Sequence, residues 1–471
     1  MPLLVEFPML AIFGGLISGI ALAIKFGQWH LILSAPVICA WLLIFTYTRD
    51  RKGQLKIFAA IIFISFVCAL RIYFTFAYDE PKSNITFKRS EGLVTFTRTW
   101  GKMHIAVIKT HAGNFLIRTP FLNYPEGTRI TFDGVTRPLK KSNIKSRGFN
   151  EFLYWRGHDV DGWLSIYNIK VLEPEFNLHR LRFLISRWLS IHTNELTCAY
   201  LKAALLGERD EKLSELHRNT GTSHLLAVSG FHVGILILCA SLFFKNNIIL
   251  SVILWLYIIL TGASPSALRA GLMLQVYLIS KFLGRPSNGL NNVSFAGVLL
   301  LTTWPYLYFD IGYRLSVIAA LTIAAMHRSR VNKKFLWLLI SPVVFAATFP
   351  QVAYIFGDLP AVGIFLNLFA PVYFSFVFSL ASIGIIMLFL KIPFSGLFLT
   401  PAENLFAFWN NISKYFSVYI TDKIPYSELL ASVGIWAFVY VICKRIRFTK
   451  RQEFFTVLVI FLMSVYLFVK P

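Results

Sequence analysis

Acidic residues are scarce in this sequence: 23 Asp and Glu stand against 46 Lys and Arg among 471 residues, and only 15% of the chain is charged. Soluble domains carry about a quarter charged residues, so the composition argues against a soluble globular enzyme. Cysteine is scarce too. Cys39, Cys68, Cys198, Cys239 and Cys443 are widely spaced, four of them in apolar segments, and no CxxC or Cys/His spacing suggests a metal site. No GxxxxGK[ST] loop occurs, which excludes a P-loop motor. The sequence "AVSGF" around Ser229 is not a GxSxG elbow, which argues against a serine hydrolase. No basic stretch precedes the first apolar segment and further apolar segments follow it, so a cleavable signal peptide is not expected. With no nucleophile–base or metal constellation, the expectation is a protein that is not an enzyme and needs no cofactor.

What the chain has is apolar length. Hydrophobic residues make up 56% of it, and the mean hydropathy is +0.62. The fold class expected is a polytopic α-helical membrane protein with an inserted small extracytoplasmic β-barrel, OB-like in size. Residues 1–78 hold three apolar segments, at about 8–26, 29–47 and 56–78. The basic loop "TRDRKGQLK" between the second and third is cytoplasmic by the positive-inside rule, which sends the following residues to the outer side.

Residues 79–178 differ sharply. Alternating stretches such as "GTRITFDGVTRPL", with Gly and Asn at turns, predict about five short strands. From Lys88 to Arg147 there are twelve Lys/Arg against Glu91, Glu126 and Asp133, a net charge of +9. The candidate nucleic-acid-binding residues are Arg98, Trp100, Lys102, Lys109, Arg118, Arg129, Arg137, Lys140, Lys141, Lys145 and Arg147. Phe96, Phe115 and Phe121 lie among them, and basic grooves with aromatic platforms hold single strands without sequence preference. A solvated basic face over an aromatic core is the alternative reading.

Residues 179–220 open with "HRLRFLISRWLSIHTNEL", whose apolar spacing predicts an interfacial amphipathic helix. A second apolar block, 221–391, is expected to span near 222–244, 248–262, 266–283, 290–304, 311–327, 335–350, 352–371 and 373–390. Residues 392–430 read as an outer amphipathic segment, and 431–471 as C-terminal spans near 431–443 and 453–469. The clusters "KFLGR", "HRSRVNKK" and "KRIRFTKR" all fall on the cytoplasmic side of one topology.

Polar groups at membrane depth cost about 2.5–3.5 kcal/mol each, so those retained are functional candidates. They are His224, Ser229, Gly230 and His232 in "TGTSHLLAVSGFHVGILI", Arg269, Asp310, Arg314, Gln351, Asp358 and Asn367. His224 and His232 read as pore-lining or packing groups, having no third ligand at zinc spacing. Asp310 and Arg314, four apart, can pair along one helix face as a structural tie or a gate. Arg269 either snorkels or lies well inside its span.

These residues carry a resemblance. "GERDEKLSELHRNTGTSHLLAVSGFHVGIL" closely resembles the signature of the ComEC competence permeases, and "LTGASPSALRAGLM", "DIGYRLSVIAAL" and "FGDLPAVGIFLNLFAPVY" follow in that family's order. "RGFNEFLYWRGHDVDGWL" resembles the end of the family's OB-like domain. The likeness covers roughly residues 85–390. It implies a multi-pass protein of the bacterial inner membrane that passes single-stranded DNA into the cytoplasm during natural transformation, with the OB-like domain outside. The partners implied are membrane lipid, a periplasmic or surface DNA receptor, a cytoplasmic helicase-like motor and single-strand-binding proteins. Two departures stand out. Arg314 occupies the place where the family's GF-LSF motif is expected to carry glutamine, and no HxHxDH-like cluster or metallo-β-lactamase-like domain follows the core, so a separate nuclease is expected. A small-molecule or polysaccharide transporter would use the same broken helices, and is the rival reading.

Overall fold

The computed structural model describes residues 8–45, 54–79, 82, 84–100, 103–119, 124–140, 150–172, 176–226, 228, 230–284, 287–327, 333–356, 359–360, 362–419 and 423–424. Among these the chain forms two compact units, one from Met1–Ala77, Asn194–Thr303 and Ile311–Lys470, the other from Tyr78–Thr193 and Trp304–Asp310.

The second unit is built on a closed five-stranded barrel. Its strands are β1 (Thr86–Trp100), β2 (Met103–Thr110), β3 (Gly113–Thr119), β4 (Arg129–Arg137) and β5 (Gly162–Val171), in the order β1-β2-β3-β5-β4. Closure follows from the length of β1. Its first half pairs with β4, from Thr86↔Val135 to Leu93↔Arg129, and its second half pairs with β2, from Leu93↔Lys109 to Trp100↔Met103. Strands β3 and β5 meet in parallel at Phe115↔Gly162 and Leu116↔Trp163. A closed barrel leaves no edge for a stray strand. Alternation fills it: Phe87, Val94, Ala106, Ile108, Phe115, Ile117, Ile130, Phe132 and Leu164 form the interior.

The outer face of β2 and β3 is covered as well. Helix α4 (Glu151–Gly157), whose Asn150 cap accepts from the Leu153 amide at 3.1 Å, brings Trp155 over Ile105, Val107 and Leu116. Trp155 is 3% exposed; truncating a tryptophan buried this way costs about 3–5 kcal/mol. The segment Pro305–Phe309, a 3-10 turn that sequence would assign to the helical block, belongs to this unit. Tyr306 donates to Asp79 at 2.5 Å, and Arg156 pairs with both Asp79 and Asp161. Helix α5 (Leu178–His192) follows the barrel; its Arg182 lies 3.5 Å from Glu126, and both are buried. It ends at Thr193, earlier than the apolar spacing predicts, because Asn194 caps a new helix.

The first unit is helical. It opens with α1 (Pro8–Phe26), a 3-10 turn at Trp29–Ser34, α2 (Ala35–Phe45) and α3 (Gln54–Ala77). Gly15 and Gly19, one turn apart on α1, let the backbone of the next segment approach: a Cβ at either would lie within 3 Å of the carbonyl of Ala35 or Ile32. After the barrel come α6 (Glu195–Leu206), α7 (Glu211–Asn219), α8 (Gly230–Phe243), α9 (Asn247–Leu260), α10 (Pro265–Phe282), α11 (Gly289–Thr303), α12 (Ile311–His327), α13 (Lys333–Phe356), α14 (Val362–Phe389) and α15 (Gly396–Tyr419).

Among the described residues three helices are long and apolar enough to cross a membrane, at Pro8–Phe26, Ala59–Ala77 and Phe365–Phe389; several others are apolar but shorter. Two boundaries differ from those hydropathy predicts. The three segments expected at 335–350, 352–371 and 373–390 are two helices, α13 and α14, which run through Pro350 and Pro371. Proline is tolerated in such helices where the freed backbone groups find other partners. The span expected at 222–244 becomes helical only at Gly230. The expected amphipathic segment is α15, which buries Leu399, Ala402, Phe406, Trp409 and Ser413 along one face. Spans expected at 431–443 and 453–469 lie outside the described residues.

Candidate functional site

The site grows from a turn. Helix α7 is capped by Asp210, whose carboxylate accepts from the Leu213 amide at 2.7 Å, and it closes at Thr220. Gly221 then adopts φ +71, which folds the chain back so that the Thr222 amide donates to the His217 carbonyl at 2.8 Å. That reversal encloses His217, which has no exposed surface. Its Nε2 lies 2.8 Å from the Tyr200 hydroxyl and its Nδ1 2.7 Å from the Thr222 hydroxyl, itself 2.9 Å from that of Thr220. Burial pushes the His217 imidazole down to about 4. A neutral ring offers one donor and one acceptor, which suits its two hydroxyl partners. Tyr200 in turn stacks on Phe406 with centroids 4.6 Å apart. Sequence reasoning missed this group, although His217 stands seven positions before His224 in the same motif.

From this anchor the chain continues without α-helix through Leu226. Ser223–Leu225 form a single 3-10 turn, and the Ser266 hydroxyl donates to the Val228 carbonyl at 2.7 Å. Helix α14 packs closely on the turn: a Cβ on Gly363 would sit 3.1 Å from both the Gly221 Cα and the Thr220 carbonyl oxygen. One turn on, the Asn367 amide donates to the Gly221 carbonyl at 3.1 Å. Pro371 has no N–H for the Asn367 carbonyl, so this stretch of α14 has freed backbone as well. Thus two motifs far apart in the sequence meet.

His224 is exposed. His224 lies within electrostatic range of both His217 and His232. His232 is buried on α8 with its ring edge-on to Phe378 at 5.0 Å. Gly230 opens that helix, beside the Cβ of Ala270. The neighbouring Arg269 is 5% exposed, and its Nε and one terminal nitrogen have no hydrogen-bond partner among the described residues. It does not snorkel. Tyr313 of α12 is its electrostatic neighbour. Gln351, on α13 and 4% exposed, has neither amide atom paired among the described residues.

Arg314 is buried in the first turns of α12. Asp310 precedes that helix and caps the 3-10 turn with extended backbone. Ser229 and Asp358 lie outside the described residues. No group of three metal-ligating side chains occurs among the described residues.

On the barrel, register rows group the basic candidates. Arg98, Ile105 and Arg118 align across β1, β2 and β3, and Lys109, Leu93 and Arg129 across β2, β1 and β4. Arg137 pairs with Trp163 across β4 and β5. The Arg118 guanidinium lies 4.1 Å over the Trp163 ring and 3.9 Å from Glu151. Arg98, Lys109, Arg137 and Lys140 are exposed and Phe96 partly so, but Phe115 is fully buried inside the barrel and offers no platform. The backbone of Trp100 ends β1. Lys102, Phe121, Lys141, Lys145 and Arg147 lie outside the described residues.

Comparison with known proteins adds to this geometry. The family model for "Competence protein" matches residues 205–451, just over half of the chain and inclusive of the His217–His232 segment. ComE operon protein 3 of Bacillus subtilis (strain 168) is 29% identical over 325 residues, covering 63% of this chain and 41% of that protein. The "Uncharacterized protein MG316 homolog" of Mycoplasma pneumoniae (strain ATCC 29342 / M129 / Subtype 1) is 27% identical over 220 residues, 43% of this chain and 57% of that one. The chain therefore spans about half the length of these curated relatives. No solved structure matches it significantly.

Proposed function

The chain belongs to the competence protein family, and from that premise we propose that it is a multi-pass inner-membrane channel that passes single-stranded DNA into the cytoplasm during natural transformation. DNA carries a charge on every phosphate, so hydrocarbon is closed to it unless a path supplies positive charge, hydrogen bonds and water. The observation that carries the reading is Arg269, a nearly inaccessible guanidinium with two nitrogens unpartnered among the described residues, in an apolar helical unit. A structural arginine would be expected to have its carboxylate. His224, His232, Gln351 and Asn367 add hydrogen-bonding groups, and the 221–226 turn adds backbone.

The barrel lies on the outer side and gathers the strand. Its order β1-β2-β3-β5-β4 supports the OB-like reading, since that closed five-stranded barrel is a fold used for oligonucleotides. Force comes from a cytoplasmic helicase-like motor and strand-binding proteins, and DNA arrives from a periplasmic or surface receptor.

The test uses the native host with the gene deleted, then restored as wild type or as His224→Ala/His232→Ala. Fluorescent DNA in the periplasm and transformants are counted from one culture. The reading expects deletion to leave periplasmic DNA intact and abolish transformants, and a membrane-inserted double variant to do the same. Unchanged transformation on deletion, in a host shown to be transformable, would overturn it.

A further inference from the structure

OB-type barrels bind strands on the face of their second and third strands, and here Trp155, Leu139 and Val160 cover that face. A different surface is open. Beside Asp133 and Gly134, both neighbours of β4 bulge at the same level. The pairs Phe87↔Gly134 and Ser90↔Phe132 leave an extra residue in β1, and Asp133↔Asn168 with Gly134↔Ile166 leave Tyr167 extra in β5. A bulge re-aims a side chain out of the ladder. Tyr167 is accordingly 71% exposed, and with Lys88, Arg89 and Val135 it lines a surface groove.

The groove is a built feature. Arg89 holds φ +46, a left-handed conformation that non-glycine residues adopt at a cost of about 1–2 kcal/mol. Asp133 fixes that conformation, one carboxylate oxygen accepting from the Arg89 amide at 2.6 Å while the other accepts from the Asn168 amide at 3.4 Å. This carboxylate is thereby engaged with the bulges. Neither the Lys88 nor the Arg89 side chain makes an ion pair among the described residues, whereas Arg118 is already taken up by Glu151 and Trp163. Lys170 aligns with Thr131 one row along β4 and is also exposed. Two cations without ion pairs among the described residues, sharing a groove with an exposed aromatic ring, match one ligand chemistry closely: a base stacked on the ring, with its phosphates on the cations.

We infer that the double bulge of Lys88, Arg89 and Tyr167 is the barrel's contact for single-stranded nucleic acid, in place of the covered β2–β3 face. The inference rests on the proposal that this chain handles single-stranded DNA. It is tested on the full chain in lipid nanodiscs with a fluorescein-labelled twenty-residue oligothymidylate. Tyr167→Ala weakens binding by about fivefold to 150-fold, and Tyr167→Phe restores it. The pair Lys88→Ala/Arg89→Gly, which also relieves the positive φ, flattens the slope of log K against log salt by about 1.4. Arg98→Ala/Arg118→Ala changes binding less than either. An iododeoxyuridine-bearing strand photocrosslinks to Tyr167.

Wild-type binding that the bulge variants leave intact would overturn this site while sparing the DNA-channel reading. Absence of any oligonucleotide binding by the wild type would overturn both. Loss of affinity for anionic vesicles alone would identify the surface as lipid-binding and also overturn the site.

Discussion

Asn367 donates its side-chain amide to the carbonyl of Gly221 at 3.1 Å, across 146 positions of sequence. The bond joins α14 to the unwound turn after α7, and the close approach of Gly363 to Gly221 holds the same junction. A buried carbonyl stripped of its donor costs about 1–3 kcal/mol. Asn367→Ala is therefore expected to reduce transformants at least about tenfold, with membrane levels of the protein unchanged on immunoblots. Gly363→Val, which must push Gly221 aside, is expected to be at least as severe. Wild-type transformation in both variants would show that the junction does not shape the path.

His217 makes stability depend on pH. Its folded-state value is pushed by burial from an ordinary 6.5 to about 4, so protons bind the unfolded chain more readily. Stability is full above about pH 6.5 and declines as pH falls toward 4, by up to about 1.4 kcal/mol per unit. Thermal unfolding of the purified protein in detergent should thus fall between pH 7 and 4.5. His217→Gln, which keeps an amide donor and acceptor, should lower stability at pH 7 and flatten the slope. An unchanged slope in that variant would assign the acid sensitivity elsewhere.

The barrel was legible in the sequence because period-two alternation in "RITFDGVTR" reports burial directly: Ile130 and Phe132 face in, Arg129 and Asp133 do not. The helical block was legible as apolar length, but its boundaries were not. Hydropathy cannot see that Gly221 turns the chain or that Ser266 satisfies the Val228 carbonyl, so a span reads from 222 although α8 begins at Gly230. Nor does it see that proline is tolerated within α13 and α14. Asp310 illustrates a different limit: helical spacing does not reveal that it caps a 3-10 turn with extended backbone. His217 was invisible for a third reason. Its partners Tyr200 and Thr222 lie seventeen residues before it and five after, and no periodic pattern links them.

Arg156 ties the barrel unit together by pairing with Asp79 and Asp161, and Tyr306 closes the group from the far end of the sequence. Removing the guanidinium leaves two partly buried carboxylates facing each other, which costs about 3 kcal/mol. Arg156→Ala should make the 78–193 segment protease-sensitive in right-side-out vesicles, while Tyr306→Phe, which loses one hydrogen bond, has an effect of about 1 kcal/mol. Equal resistance of Arg156→Ala and wild type would count against this role.

Arg269 separates a functional charge from a structural one. A buried guanidinium with two nitrogens unpartnered among the described residues destabilises the fold, and replacing it with an apolar side chain of similar volume removes that cost. Arg269→Met should therefore raise the thermal midpoint of the purified protein, by the equivalent of about 1–3 kcal/mol, while abolishing transformants. Gln351→Leu should repeat the pattern more weakly, because an unpaired amide costs less than an unpaired charge. Arg269→Lys keeps the charge but loses the planar fork that can grip a phosphate at two points, so intermediate uptake is expected. Stability and uptake moving in opposite directions would mark Arg269 as a group held in strain for its substrate. A fall in both with Arg269→Met would instead make it a tie within the fold, and the path would have to be sought along His224.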